Sequence, residues 1–359
     1  MVLSPKRIDL YLARGFLVTF FVVLAIVVTM LQSLDLMNQS DEILAAEGAG
    51  RAEIFRYIGW RAPQLADRFA PFVALLAALI SFARLGRTSE ITAMRAAGMS
   101  PLRVLAPVCV MGGLIALVHF ALHEVVVVEA NARLERWAAQ DYAVDAEPGV
   151  RPIANIRLTD GDRIVRADSL AEAEDGVWRL ENLRAYDLSY QGGIDAALRA
   201  SAARHDADGW RLIGARRFNA AEEQWQTLGD TVWTDGPTPE RIVASALDPE
   251  QANLDDLHRA TRASRGESGA QRLETALMHR FTAPAASFIM PLLAAIAGFG
   301  LHRSNTLLAR IVAGLGLGFS YFVFDNIMVV MGRLDTAPPV MAALAAPVVF
   351  AGVGLAIRK

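Results

Sequence analysis

The sequence predicts an α-helical polytopic membrane protein in which three spans, an inserted all-β domain of sandwich or open jelly-roll type and three further spans follow one another. Three observations predict it. The 359 residues are 53% hydrophobic, with a mean hydropathy of +0.31, which is too apolar for an ordinary soluble domain. Six apolar segments, 15–34, 62–83, 104–127, 281–301, 307–331 and 337–357, each reach the roughly 20 helical residues that cross a hydrocarbon core. Between the third and fourth lies a long polar stretch of short alternating segments separated by Asp-Gly and Gly-Gly turn signals.

Composition removes several classes of function. A formal net charge of -3 offers no basic excess for nucleic acid. Cys109 is the single cysteine, so an intrachain disulfide and a cysteine-based metal cluster are both excluded. Lysine occurs only as Lys6 and Lys359, neither of which follows a glycine-rich loop, so the chain is not its own P-loop ATPase. No cofactor is expected.

The first apolar segment follows Lys6, Arg7 and Arg14 as a signal peptide would, but its core is too long and no small-residue cleavage pattern follows, so a retained span is expected. Basic residues then set the orientation. Lys6, Arg7, Arg14, then Arg84, Arg87, Arg95 and Arg103, then Arg303 and Arg310, and finally Arg358 and Lys359 fall on one side, which is read as cytoplasmic. The opposite side receives Asp35, Asp41, Glu42, Glu47 and Glu53, together with Arg51, Arg56 and Arg61, and the whole stretch 129–274.

The second connection, RTSEITAMRAAGMSP at 87–101, reads as a short polar helix. Thr88 or Ser89 caps its start, Glu90 suits the positive end of the dipole, and Gly98 followed by Pro101 stops it. Ile91, Met94 and Ala97 form a short apolar edge. Such a helix either enters a groove on a soluble partner, acting as a rigid lever on spans two and three, or lies on the headgroups.

At the end of the third span, HFALHE places His119 and His123 on one helix face with Glu124 adjacent. Two imidazoles at this spacing can hold zinc. The order is not HExxH, however, and no further ligand is evident, so interfacial side chains are expected and no metal. In the insert, IANIRL, DRIVRADSL, VWRLENLRAYDL, GWRLIGARRF and DTVWT read as strands of an antiparallel sandwich or open jelly roll. NARLERWAAQDY before them and 254–277 after them read as helical extensions. The fifth span carries GLGLG at 314–318, a smooth face for close helix approach. It also carries Asp325, an ionisable group in an apolar segment and therefore a candidate functional residue. Phe319, Tyr321, Phe322 and Phe324 around it either line an acyl-chain surface or pack.

Taken together, the 3 + 3 spans, SEITAMRAAGMS, the insert, ALDPE at 246–250 and the fifth and sixth spans resemble the LptF/LptG family of permeases, which extract lipopolysaccharide from the bacterial inner membrane. WTDGPTPERIVASALDPE, FSYFVFDNI and PPVMAAL are more similar to its LptG branch. The resemblance covers nearly the whole chain. It implies a non-catalytic permease subunit of an ABC transporter that pairs with an LptF-like permease, is driven by an LptB-like ATPase dimer, and works with an LptC-like bitopic protein and an LptA-like periplasmic bridge. It implies a coupling helix at about 88–98, with Ser89, Glu90, Ile91, Met94, Arg95 and Gly98 as its ATPase-coupling residues. The insert at 129–275 becomes a periplasmic β-jellyroll between spans within 1–128 and 276–359. Lateral gates on the first and fifth spans place Gln32, Asp35, Asn38, Phe319, Phe322 and Asp325 at the lipid cavity. Family members of the LptG branch commonly bear lysines at the outer end of the first span, where this chain has Gln32, Asn38 and Gln39. Uncharged amides cannot replace that Coulomb attraction. Either Arg51, Arg56 or Arg61 meets the lipid phosphates instead, or the head group differs in phosphate content. Two rival readings remain at this stage: a mechanotransmitting permease that passes no lipid itself, and a membrane metalloenzyme using His119, His123 and Glu124.

Overall fold

The computed structural model describes residues 5–144, 153–173, 176–189, 193–220, 223–249, 252–264, 270–296 and 307–355. The end of the fourth apolar segment, Arg303, Arg358, Lys359 and Glu250 of ALDPE lie outside the described residues, as do the side chains of Lys6 and Arg310. In chain order the helices are α1 (Pro5–Ala45), α2 (Arg51–Arg87), α3 (Glu90–Ala96), α4 (Pro101–Leu122), α5 (Val128–Ala138), α6 (Pro239–Ala246), α7 (Leu254–Ala263), α8 (Ala270–Thr282), α9 (Ala285–Ala295), α10 (Leu307–Arg333) and α11 (Pro339–Leu355). A π turn, His123–Val127, joins α4 to α5. Six strands lie between α5 and α6. The chain divides into two compact units, Met1–Ala146 with Met278–Lys359, and Glu147–Leu277.

Among the described residues, four helices are long and apolar enough to cross a membrane: Arg7–Ala45, Arg51–Arg87, Pro101–Ala138 and Ile311–Arg333. The fourth and sixth expected spans appear as the shorter apolar helices Ala285–Ala295 and Pro339–Leu355. A turn at Ala283 and Pro284 separates α8 from α9, because proline lacks the amide that a continuous helix needs. The first helix of 41 residues is about 60 Å long at 1.5 Å per residue, twice the roughly 30 Å of a hydrocarbon core. Helices α1 and α2, with α4 prolonged into α5, therefore extend well beyond the apolar pattern that locates them. Their prolongations bury Ile43, Tyr57, Trp137 and Tyr142 in a cluster of their own.

The main core of this unit is centred on α2. Val73, Ala74, Leu75, Ala77 and Ala78 are fully buried, and α1, α4, α9 and α10 all pack against α2. Small residues permit this, since no hydrophobic effect drives helices together in lipid and close backbone approach must supply the packing instead. Helix α4 comes close to the backbone of α9. A Cβ built on Gly112 would lie 3.0 Å from the Ser287 carbonyl oxygen and 3.2 Å from Pro291 Cγ. On α10, the glycine run behaves as the sequence suggests for one of its two faces. Gly318 is buried directly against Leu75, whereas Gly316 faces open space.

In the second unit, β1 (Ile153–Asp160), β2 (Arg163–Glu172), β3 (Trp178–Leu188), β4 (Ile194–Asp206), β5 (Gly209–Asn219) and β6 (Gln224–Trp233) form one antiparallel sheet in sequence order. A jellyroll has two sheets with long crossovers; the described strands make a single up-and-down meander. One face buries Ile156, Val165, Leu183, Ala200, Leu212 and Ala215 against Ile242 of α6. Trp210 closes the end of this core, its indole N–H donating to the Pro237 carbonyl at 2.7 Å. The longest strand, β4, is IDAALRASAARHD, which lacks the β-branched and aromatic residues of an obvious strand. Its alanines 197, 200 and 203 are buried, and pairing with β3 and β5 on both sides overrides a propensity that favours helix.

Because Gly112 meets backbone, Gly112→Leu is expected to cost about 1–3 kcal/mol through overpacking, while Gly316→Leu costs little. Thermal unfolding of the purified protein in detergent, comparing both variants with the parent, checks this.

Candidate functional site

At one end of the helical unit the starts of α1 and α4 and the end of α2 surround α3. Asp9 pairs with Arg103 at 2.7 Å, and Glu90 lies beside the Tyr11 phenol. Neither expected cap is made. Ser89 is held at φ 55°, in the left-handed region, with no side-chain cap bond. Thr88 ends α2, and its hydroxyl donates to the Glu90 carboxylate at 2.8 Å. The two-residue corner between α2 and α3 is too tight for the extended backbone that a capping serine requires. The C-terminus does follow expectation: Gly98 takes φ +86°, and bonds from Met99 N to Met94 O and from Gly98 N to Arg95 O close a Schellman motif. Ser100 then caps α4, whose first residue is Pro101.

No residue of α3 is buried. Ile91 and Met94 turn toward the core of their own unit, so the apolar edge braces the helix against the chain itself. Thr92, Ala93, Arg95 and Ala96 remain on the exposed side. The arrangement is a small rigid body fixed to three long helices and open on one flank.

At the opposite ends of α1 and α2, Arg61 grips Asp35 with both arms of its guanidinium, Nε to Oδ2 at 3.0 Å and Nη2 to Oδ1 at 2.9 Å. Tyr57 donates to the same carboxylate at 2.6 Å. Arg61 is thus already neutralised, while Arg51 is exposed and Arg56 lies over the Trp137 ring, 5.5 Å from its centroid. Nearby, burial pushes the Tyr142 phenol above its ordinary range, helped by Glu42 and Asp35. Gln32 is only 7% exposed, and neither of its amide atoms has a hydrogen-bond partner among the described residues. Asn38 is exposed.

On α10, Phe319 is 65% exposed and continues into an exposed face with Val323, Ile327 and Val330. The other aromatics pack: Phe322 against Phe72, Tyr321 and Phe324 against Phe350. Asp325 is answered by His279 of α8, Oδ2 to Nε2 at 3.1 Å.

The HFALHE residues take part in a charge network that the sequence did not reveal. Asp67 of α2 stands between the imidazoles, 3.0 Å from His119 Nε2 and 2.9 Å from His123 Nδ1. Arg280 of α8 meets the remaining His123 nitrogen and lies 3.5 Å from Glu124. The pairing assigns the tautomer: His123 donates from Nδ1 to the carboxylate and accepts at Nε2 from the guanidinium. A cation already occupies the place that a metal on His123 would need. The π turn beginning at His123 gives the helix one extra residue at this point, which aims His123 and Glu124 together at α8. The rule that singles out Asp325 applies equally to Asp67, an acid inside the second apolar segment. Its partners lie on other helices, 52 or more positions away in sequence, and no spacing rule reaches that far.

These features define a polytopic helical membrane protein with an inserted antiparallel β-sheet domain. The chain belongs to the lipopolysaccharide export system permease LptF/LptG family, whose model matches residues 10–359. It is 24% identical over 347 residues to the lipopolysaccharide export system permease protein LptG of Escherichia coli K12, covering 94% of this chain and 93% of that protein. It is also 25% identical over 358 residues to the LptG of Haemophilus influenzae Rd, covering 96% of each. The family is one of permeases, so the chain is a membrane subunit and not an enzyme.

Asp67→Leu strands two imidazoles without their carboxylate, and the expected loss is about 3 kcal/mol, the scale for breaking a buried pair. A lowered melting temperature in detergent, with membrane insertion retained, is the observable.

Proposed function

We propose that this chain is the LptG-like permease subunit of an ABC transporter that extracts lipopolysaccharide from the inner membrane and hands it to a periplasmic bridge. Both termini and α3 face the cytoplasm, as the arginine distribution favours, and the β-sheet unit is periplasmic. The chain pairs with an LptF-like permease. An LptB-like ATPase dimer supplies the energy, and LptC-like and LptA-like proteins receive the lipid along a path of β domains, to which the sheet is this chain's contribution.

The observation that carries the reading is the geometry of α3. A helix with no buried residue, fixed by Ile91 and Met94 to its own core and by its corners to α2 and α4, suits transmission of a push from a soluble motor. The ATPase closes on nucleotide, α3 moves as a body, and α2 and α4 move with it. Because α2 is packed against α1, α9 and α10, displacement at one end alters the walls that these helices present. The exposed apolar face of α10, with Phe319 foremost, offers acyl chains a surface. Arg51 and Arg56 sit where a phosphorylated head group would pass.

Two measurements test the reading. A photoreactive residue at Phe319 is expected to trap lipopolysaccharide in cells; capture of bulk phospholipid alone would favour a mechanotransmitting permease that carries no lipid. Glu90→Ala is expected to reduce copurification of the ATPase severalfold without loss of insertion, and undiminished copurification would remove α3 from the docking role.

A further inference from the structure

The register of the sheet brings five arginines into one row. Arg157 is the direct cross-strand partner of Arg166, Arg166 of Arg184, Arg184 of Arg199, and Arg199 of Arg216. All five are exposed, on the face opposite the sheet's core. Adjacent strands are about 4.8 Å apart, so the row spans about 19 Å. Like charges directly opposite one another destabilise a sheet. Here that unfavourable contact is repeated across five strands.

Two other sheet arginines have carboxylate partners: Arg163 meets Asp187 and Arg211 meets Asp206. Among the described residues, no carboxylate pairs with any of the five in the row. Two acids on the same face are engaged by neutral groups instead, Asp168 by Asn182 at 2.8 Å and Glu181 by Ser169 at 2.8 Å. The centre of the row opens into a depression of about 470 Å³ lined by Asn182, Arg184, Arg199, Ser201 and Gly214. At its β6 end stands Trp225, 37% exposed, with the guanidinium of Arg199 4.8 Å and that of Arg216 5.7 Å from its ring centroid.

We propose that this row is a binding site for a phosphorylated saccharide, namely the sugar-phosphate head of the glycolipid that the chain handles. The choice of that source rests on the transport reading above. The planar guanidinium fork matches phosphate bidentately, and a repeated row suits a ligand with several phosphates. The neighbouring groups favour a sugar over an acidic polypeptide. Trp225 holds the guanidiniums of Arg199 and Arg216 against its ring, and Asn182 and Ser201, whose donors go to Asp168 and the Ile213 carbonyl, present oxygens that accept from sugar hydroxyls, donors that a carboxylate side chain lacks. A local rule broken this often, with no carboxylate to relieve it among the described residues, marks a site whose relief comes from a ligand.

The test uses the full-length protein in detergent and lipopolysaccharide that has been chemically deacylated to its phosphorylated oligosaccharide. Calorimetry at low and high salt is expected to give binding that weakens with salt. Removing the phosphates enzymatically, or introducing R166Q/R184Q/R199Q together, is expected to weaken it at least tenfold and to flatten the salt dependence. R184Q alone is expected to weaken it severalfold. R259Q, at an exposed arginine of α7 that pairs with Asp256, leaves it unchanged. The triple variant folds at least as well as the parent, because it removes like-charge contacts, and its melting temperature is the control. No binding of the oligosaccharide by the parent, or equal binding by parent and triple variant, overturns the proposal. Tighter binding of polyglutamate than of the oligosaccharide also overturns it, in favour of an acidic protein partner. Lipid capture at Phe319 reads the transport function independently, so failure of one does not imply failure of the other.

Discussion

An ionised group among apolar helices must find an opposite charge or a hydrogen bond, because lipid and packed side chains offer no water to solvate it. The helical unit obeys this constraint at each of its described interhelical acids. Asp35 is held by Arg61 and Tyr57, Asp67 by His119 and His123, Glu124 by Arg280, and Asp325 by His279. Each pairing crosses from one helix to another, so together they define which helices are neighbours and at what height. Apolar packing alone would leave such helices free to slide by a turn. Gln32 stands outside the pattern, as a polar side chain of α1 that is buried and without a hydrogen-bond partner among the described residues.

The same constraint ties a small element into the bundle. Helix α2 is buried along much of its length, carries Asp67 and Arg61, and ends in the corner that starts α3. The Schellman closure and the Ser100 cap fix the other corner, so α3 is held at both of its ends. Ile91 and Met94 contribute the brace, and the exposed flank is left to charged and small residues.

The sheet solves a different problem. A six-stranded meander with one covered face needs apolar residues on alternate positions only, and the opposite face is released from packing. On that face the charge distribution is uneven. Arginines gather in one row while acids are occupied elsewhere, so the surface departs from the mixed charge that solubility alone favours. The edges at β1 and β6 follow from sequence-order topology, since among the described residues no strand returns to pair with them.

Four long apolar helices, the β-rich insert and the short polar helix were legible in the sequence because their signals are local: apolar runs of sufficient length, period-two alternation, and a glycine in the left-handed position at Gly98. Strand β4 was not, since alanine is uninformative where neighbours decide the conformation. The Asp67 network was not, since its members are brought together by helix packing across positions 67, 119, 123 and 280. Even where the sequence stated a feature openly, its meaning waited on the fold. The arginines of IRL, VRA, LRA, LRA and ARR are visible at positions 157, 166, 184, 199 and 216, each between residues that point the other way. Alternation alone places them all on one face. Only register, set by hydrogen bonding between strands and lost by a slip of a single residue, brings them side by side.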